Sequence, residues 1–320
     1  MRIDIVNVSG GVDSTACYLL ALERREKTGQ DFRAVFADTG NEHEITVDYI
    51  HDLAHKTGGP EVRTVKADFT QRIAVRRSGL EMMLKSGEFV RGWTQEAVER
   101  VLEHLYPTGI PFLDLCIWKS RFPASMQRFC TTCLKMEPMR DQATGPAIAE
   151  AIAAGGRFCD VVHWVGIRRD ESPARADAEE WETDSMGSRI YRPLVDWPKD
   201  QCFDLLSRHG VDPNPLYKMG CGRVGCMPCL MARKAEIREI AKRWPDHINK
   251  IRDWERLVKM CSKNMVSTFF PVDTIPGTAD DRSNIDAVVE WSKTGRGGSQ
   301  FDMLAMMEPL SCSSLYGLCE

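Results

Sequence analysis

Ile3-Asp4-Ile5-Val6-Asn7-Val8-Ser9-Gly10-Gly11-Val12-Asp13-Ser14-Thr15 is the stretch whose reading decides the fold. An apolar-rich run stops at Ser-Gly-Gly, and Cys17, Leu19, Leu20 and Leu22 follow at once with helical spacing. The pattern predicts a buried strand, a tight glycine turn and the first turn of a helix. Such a turn points backbone N–H groups and the positive end of a helix dipole at one place, which is an anion site. Gly10 and Gly11 let the backbone approach the anion, and Ser9, Ser14 and Thr15 add hydroxyl donors.

Working outward, Arg33–Ala37 reads as a second strand ending in Asp38-Thr39-Gly40-Asn41-Glu42, with helix signals through Ile50, Leu53 and Ala54. A third short strand near Glu61–Lys66 precedes Ala67-Asp68-Phe69, and another runs through Val161–Val165. Strands alternating with helices at this spacing predict βαβ units and a parallel α/β sheet with helices on both faces. Ligands of such sheets lie beyond the carboxyl ends of the strands, where Ser9, Asp38 and Asp68 are expected to converge. Asp38 and Thr39 would also serve well as helix N-caps, a role compatible with ligand contact. Residues 70–115 read as irregular, with Arg76, Arg77 and Lys85 as solvated charge ahead of a helix at Thr94–His104.

The loop is neither the Walker nor the dinucleotide type. Ser-Gly-Gly-x-Asp-Ser directly after the first strand resembles the PP-loop of the N-type ATP pyrophosphatases, with a Ser/Gly-rich strand–helix turn as the plainer alternative. The resemblance implies an adenine nucleotide α-hydrolase fold, ATP held with Mg2+ over Ser9, Gly10, Gly11, Val12, Asp13, Ser14 and Thr15, and cleavage between the α and β phosphates. Phe36–Glu44 resembles a second signature, that of the phosphoadenosine phosphosulfate (PAPS) reductase-like branch, where this strand end lies against the adenosine. Cys130-Thr131-Thr132-Cys133-Leu134-Lys135-Met136-Glu137-Pro138 is similar to the branch's Cys-Thr-x-x-Leu-Lys-x-x-Pro element, shared by DNA-phosphorothioation members. Gly166-Ile167-Arg168-Arg169-Asp170-Glu171-Ser172 resembles its second phosphate-facing loop, with Arg168 on the α-phosphate and Gly166, Glu171 and Ser172 around the nucleotide. A planar guanidinium suits phosphate and the charge that develops at phosphorus. Asn214–Cys229 matches the Pro-Leu-Tyr…Arg-x-Gly-Cys-x-x-Cys element, so the resemblance covers roughly residues 1–235.

The chain has 320 residues, 43% hydrophobic and 28% charged, with a formal charge of −4, as ordinary globular proteins do. No stretch is apolar enough to span a bilayer, and no export signal is read at the N-terminus. Twelve cysteines without that signal point to metal or redox chemistry in a reducing cytoplasm rather than disulfides. Cys226-x-x-Cys229 in a Gly/Pro loop has the bite of a ligand pair, and Cys130-x-x-Cys133 could supply the other half. Four thiolates suit zinc or an iron–sulfur cluster alike. The resemblance favours a [4Fe–4S] cluster, with Cys221 or the tail cysteines Cys312 and Cys319 as possible substitutes. Cys17, Cys116, Cys159 and Cys202 read as small buried hydrophobes.

Met231–Lys263 reads as two helices broken near Trp244-Pro245, in which Lys and Arg outnumber Asp and Glu two to one. That face is a candidate nucleic-acid surface or a plain solvated helical pair. Residues from about 274 to 300 read as a loose linker. The expected organisation is a nucleotide-binding part, 1–230, followed by a basic helical and cysteine-bearing part, 231–320. The expected function is an ATP pyrophosphatase that adenylates an acceptor, with nucleic acid first among acceptors, in a sulfur-transfer or modification reaction. Asp13 would partner Mg2+, Lys135 and Arg168 would stabilise the transition state, and a cysteine desulfurase or other donor would supply sulfur. The rivals are an adenylyl or phosphoadenylyl sulfate reductase and a nucleotide-binding component of a modification or defence system. Asp13→Ala is expected to abolish pyrophosphate release and leave the fold intact.

Overall fold

The computed structural model describes residues 2–124, 127–271, 274–275 and 283–295; the tail cysteines Cys312 and Cys319 lie outside them. Six strands form one sheet in the order β3-β2-β1-β4-β6-β5: β1 Ile3–Asn7, β2 Phe32–Asp38, β3 Val62–Lys66, β4 Val161–Trp164, β5 Trp181–Thr183 and β6 Arg189–Tyr191. Every neighbouring pair is parallel except β5 with β6. β1 is buried at all of its positions and pairs with β2 on one side and β4 on the other. The strand order therefore reverses at β1–β4, which makes a crevice at their carboxyl ends.

Helix α1 (Val12–Thr28) runs from the first turn and packs with α9 (Lys199–Arg208) on one face of the sheet. Ala16, Cys17, Leu19 and Leu22 of α1 join Leu205 and Leu206 of α9 in that core layer. The other face is covered by α8 (Gly145–Ala153), whose Ala147, Ile148 and Ala151 meet Ile3, Ile5 and Val35. Helix α2 (Glu44–Thr57) follows β2 and starts with the side chain of His43 accepting from the Ile45 amide.

Residues 70–86 are not irregular. They form α3 (Thr70–Ser86), which bears few buried positions and therefore shows no apolar stripe; Ile73 and Leu80 carry its buried contacts. Its adjacent arginines are not solvated charge either. Arg76 donates to the carbonyls of Ile117 and Trp118 and of Cys261, and to Ser120 Oγ. Arg77 donates to the carbonyls of Leu102 and Leu105. Each closes the C-terminal end of a neighbouring helix, where backbone carbonyls lack partners: α5 (Pro111–Lys119) and α4 (Gln95–His104).

The basic segment folds as α11 (Lys234–Arg243) and α12 (Pro245–Met260), broken at Trp244-Pro245 as its sequence predicts. Part of the expected linker is helical, since α13 (Ile285–Ser292) packs on α11 and α12. These three helices share a core with α3, α4 and α5 through Ile240, Ile251, Trp254 and Val288 against Ile73, Val101 and Leu115. Residues on both sides of position 230 contribute to it. No helix among the described residues is long and apolar enough to cross a membrane.

Candidate functional site

The β1–α1 turn is held from inside. Gly10 has φ +81°, and a Cβ there would lie 2.8 Å from Thr46 Cγ2, so the position demands glycine both for its backbone and for contact with α2. Ser14 Oγ and Thr15 Oγ1 both donate to the Gly11 carbonyl, at 3.0 and 2.9 Å, and Ser9 N donates to Ser14 Oγ. The hydroxyls of Ser14 and Thr15 thus brace the loop rather than face the crevice. Tyr217, on α10 (Pro215–Lys218), accepts from the Val12 amide at 3.1 Å, and Asn214 donates to the Gly10 carbonyl.

Across the switch point, the loop after β4 closes on the first turn of α1. At Gly166 a Cβ would lie 2.8 Å from the carbonyl carbon and oxygen of Asp13. Two residues on, Arg168 donates Nε to Asp13 Oδ1 at 2.8 Å, and both side chains are only 4% exposed. Arg168 also pairs with the half-exposed Asp170. Burial alone would lower the guanidinium's pKa; Asp13 and Asp170 outweigh it and raise it. An open cleft of about 550 Å³ begins here, lined by Val12, Asp13, Arg168, Glu171, Ser172, Lys199, Tyr217, Arg223 and Arg233 among others.

On the other side of Ser9 lies a tighter pocket of about 60 Å³, which Thr39, Glu42, Lys135, Arg223, Cys130, Cys226 and Cys229 help to line. The Cys226–Cys229 loop is fastened to the end of β2: Met227 N donates to the Asn41 carbonyl at 2.7 Å, and Asn41 Nδ2 donates to the Pro228 carbonyl at 3.0 Å. Burial pushes the Cys130 thiol up to about 11, and Cys226 up to about 12, where the Glu42 charge adds to the effect. Burial also raises Glu42, against the opposing pull of Lys135. Glu42 is held by the Thr39 amide and hydroxyl, at 3.0 and 2.8 Å.

Cys133 is not brought to this pocket. Its thiol faces Glu137 at 3.7 Å, with Arg72 and Lys119 nearby. The reason is local winding. Cys130 belongs to a short α-helical turn, Phe129–Thr131, but Thr132–Met136 is π-helical. In an α-helix three residues make nearly a full turn, whereas the wider i→i+5 winding rotates less per residue and leaves the fourth residue further short of the face of the first. The two Cys-x-x-Cys pairs therefore do not fit a single four-thiolate site. Cys130, Cys226 and Cys229 line one pocket and are soft donors, but among the described residues their sulfurs do not form a group within 4.8 Å of one another. Cys221 lines the open cleft instead.

Other expected residues also fall away from the crevice. Asp38 spends its carboxylate on the Gly40 amide and on Lys66, and lines neither cavity. Asp68 is exposed and holds the first amide of α3. Cys17, Cys116 and Cys202 are buried as expected, but Cys159 is half-buried rather than a core residue. Arg223, Glu42 and Asn41 were not singled out by sequence reasoning as site residues. Arg223 had a usable signal, since a cation three residues before a Cys-x-x-Cys pair lies within reach of its thiols. Its guanidinium bonds Cys229, and the nearby thiols and Glu236 raise its pKa against burial.

A glycine-held loop at the first strand end, facing an arginine delivered from β4, defines a nucleotide-binding protein of the PP-loop class. The family sequence profile described as "Phosphoadenosine phosphosulfate reductase domain" matches residues 4–106 and 113–232, and the chain belongs to that family. It is 43% identical over 336 aligned positions to an uncharacterized 37.8 kDa protein of Escherichia phage 186, covering 99% of this chain and 97% of that one. Adenosine 5'-phosphosulfate reductase of Burkholderia cepacia is 38% identical over 89 residues, which is 27% of this chain and 36% of that enzyme. Among solved structures, PAPS reductase from Candida auris, as a phosphate complex, overlaps 71% of this chain and 82% of its own at 17% identity and TM-score 0.39, too remote to carry an argument.

Proposed function

We propose that the protein is an ATP pyrophosphatase that adenylates an acceptor, with nucleic acid as the acceptor class, in a sulfur-inserting modification. The observation that carries this reading is the intact loop with Arg168 beside it and three thiols in the adjoining pocket. Backbone amides of the loop and the α1 dipole would take the pyrophosphate of ATP. Asp13 and the phosphates would hold Mg2+, a donor set of the kind that ion accepts, since it is bound through one or two carboxylates plus substrate oxygens. An acceptor oxygen attacks the α-phosphorus, pyrophosphate leaves, and Arg168 and Lys135 offset the charge that gathers on the phosphoryl oxygens. Arg168 is pre-set for this by Asp13, so its guanidinium needs no reorientation.

Cys130, Cys226 and Cys229 would contribute ligands to a [4Fe–4S] cluster, which would supply the handling of sulfur when bound; zinc in its place would be a structural clamp. Glu42, Lys135 and Arg223 surround these thiols with two cations and one carboxylate. The exposed Arg233 at the open cleft would meet an acceptor's phosphates.

The test uses anaerobically purified protein with ATP labelled at the α-phosphate, Mg2+ and single- or double-stranded nucleic acid. Pyrophosphate release coupled to label on the nucleic acid is expected. Sulfite formation from adenylyl sulfate or PAPS with a dithiol, and no pyrophosphate from ATP, would replace the proposal with the reductase reading. The same three thiols beside a phosphate loop favour that as the second reading.

A further inference from the structure

The end of α5 carries cations that lean on aromatic rings rather than on carboxylates. Lys119 Nζ lies 4.1 Å from the centre of the Trp118 ring. The Arg72 guanidinium lies 5.1 Å from the same ring and 5.5 Å from that of Phe69, and the two rings are themselves stacked. The Arg121 guanidinium lies 5.6 Å from the Phe129 ring. Lys119 and Arg121 are exposed, and neither forms an ion pair among the described residues, whereas Arg72 pairs with Glu137. A ring fixes a cation's position and leaves its charge uncancelled. The turn that carries Lys119 and Arg121 is pinned. Ser120 has φ +58°, uncommon for a residue with a side chain, and its hydroxyl donates to the Cys261 carbonyl at 2.8 Å while accepting from Arg76. Arg121 N donates to the Cys116 carbonyl at 3.1 Å.

On the reading that the acceptor is a nucleic acid, we propose that Arg72, Lys119 and Arg121 are the docking surface for a single strand of it, at the rim of the thiol pocket. Three cations stand here against one carboxylate, in a chain whose formal charge is −4. The partner that fits is a polyanion. Phe129, on which Arg121 rests, lies between Arg128 and Cys130, and both of those line the thiol pocket with Lys135. Positive charge thus continues from the surface to the pocket, and the repeating phosphates of one strand can engage both at once. The pocket is tight, about 60 Å³, and a nucleotide inside a duplex could not approach it without leaving the stack. The strand is therefore unpaired where it meets the rim. Because cations already cover the rings, contact falls on phosphates and is tolerant of base sequence.

The experiment measures binding of the full-length, anaerobic protein to a short fluorescent oligothymidylate by anisotropy over a range of salt, beside its affinity for ATP. Lys119→Glu/Arg121→Glu, two exposed changes outside the nucleotide loop, is expected to weaken the strand roughly ten-fold or more at low salt. It should also flatten the slope of log K against log salt by about 0.7 for each phosphate released, with ATP affinity unchanged. Lys27→Glu/Lys56→Glu makes the same change of net charge in the last turns of α1 and α2 and should stay within about two-fold of wild type, since salt screens distant charges. Equal affinity and slope in wild type and Lys119→Glu/Arg121→Glu would overturn the docking surface and leave the nucleic-acid acceptor standing. So would an equal loss in Lys27→Glu/Lys56→Glu, which would make the effect one of net charge. A blunt duplex bound as tightly as the strand would overturn the single-stranded occupant. A wild type that binds ATP but neither strand nor duplex would overturn the surface and the nucleic-acid acceptor together.

Discussion

Asp13 and Arg168 form a buried pair, and that changes what substitution at Asp13 does. The sequence suggests that Asp13→Ala removes a loop residue without touching the core. In the structure it strands a guanidinium that keeps only the half-exposed Asp170. Breaking one side of a buried pair costs about 3 kcal/mol or more when no partner remains. Asp13→Ala is therefore expected to lose roughly 2 kcal/mol as well as pyrophosphate release. Urea unfolding of Asp13→Ala beside Asp13→Asn checks this. A stability equal to wild type in Asp13→Ala would mean that Asp170 alone satisfies Arg168. At this scale the residue types of the site were legible, because Ser9, Arg168 and the Cys226–Cys229 pair carry chemistry in their identity and spacing. Which way a side chain turns was not, as Asp38, Ser14 and Cys133 show.

Elements were legible where a stripe of apolar residues or a glycine stop marked them, as in β1, α1 and the break at Trp244-Pro245. Helix α3 escaped because it buries only Ile73 and Leu80 and turns Arg76 and Arg77 to the ends of other helices, so it shows no apolar stripe. Nothing in a local window reveals that use. Arg76→Met keeps the stem but leaves buried carbonyls of Ile117, Trp118 and Cys261 short of a donor. Unfolding studies are expected to show a loss of about 2–4 kcal/mol, since orphaned buried acceptors each cost of order 1 kcal/mol. A second element-level prediction concerns α12. Glu255 accepts from the Phe269 and Ile285 amides, yet burial pushes its carboxyl up to about 7. A group with a raised folded pKa stabilises fully below its unfolded value, and that stability is lost as pH rises through the folded one. Stability is thus expected to fall by up to about 3 kcal/mol between pH 4.5 and 7 from this group alone. His43 and His247 have lowered pKa values, mainly from burial, so their share runs the other way and is lost as pH falls below about 6.5. Urea midpoints of wild type and Glu255→Gln from pH 4.5 to 8 separate the two, because the variant should lose only the fall on the alkaline side.

For the molecule as a whole, net charge predicts little about partners, since the chain is acidic overall while its cleft mixes Arg168, Lys199, Arg223 and Arg233 with Asp13, Asp170, Glu171, Glu236 and Glu239. If nucleic acid enters there, its affinity should fall steeply with salt. Arg233→Glu/Lys199→Glu is expected to weaken binding and to reduce the slope of log K against log salt by about one for each phosphate no longer engaged. An unchanged slope would place the acceptor elsewhere or make it uncharged. The parallel sheet itself was readable from the order of strands and helices. The sharing of one core by α3–α5 and α11–α13 was not, because it depends on packing between segments far apart in the chain.

The close approach of Gly166 to Asp13, with the Arg168–Asp13 bond spanning 155 positions, has a consequence for synthesis. A ribosome delivers the first half of the phosphate site early and its guanidinium only after β4 has emerged. Until then Asp13 has no counter-charge, and the turn before α1 lacks the surface that seats it. Nascent or truncated chains ending before Arg168 should therefore lack nucleotide affinity even with β1–β3 already paired. Competence for nucleotide then becomes a report that the chain has been completed through its fourth strand.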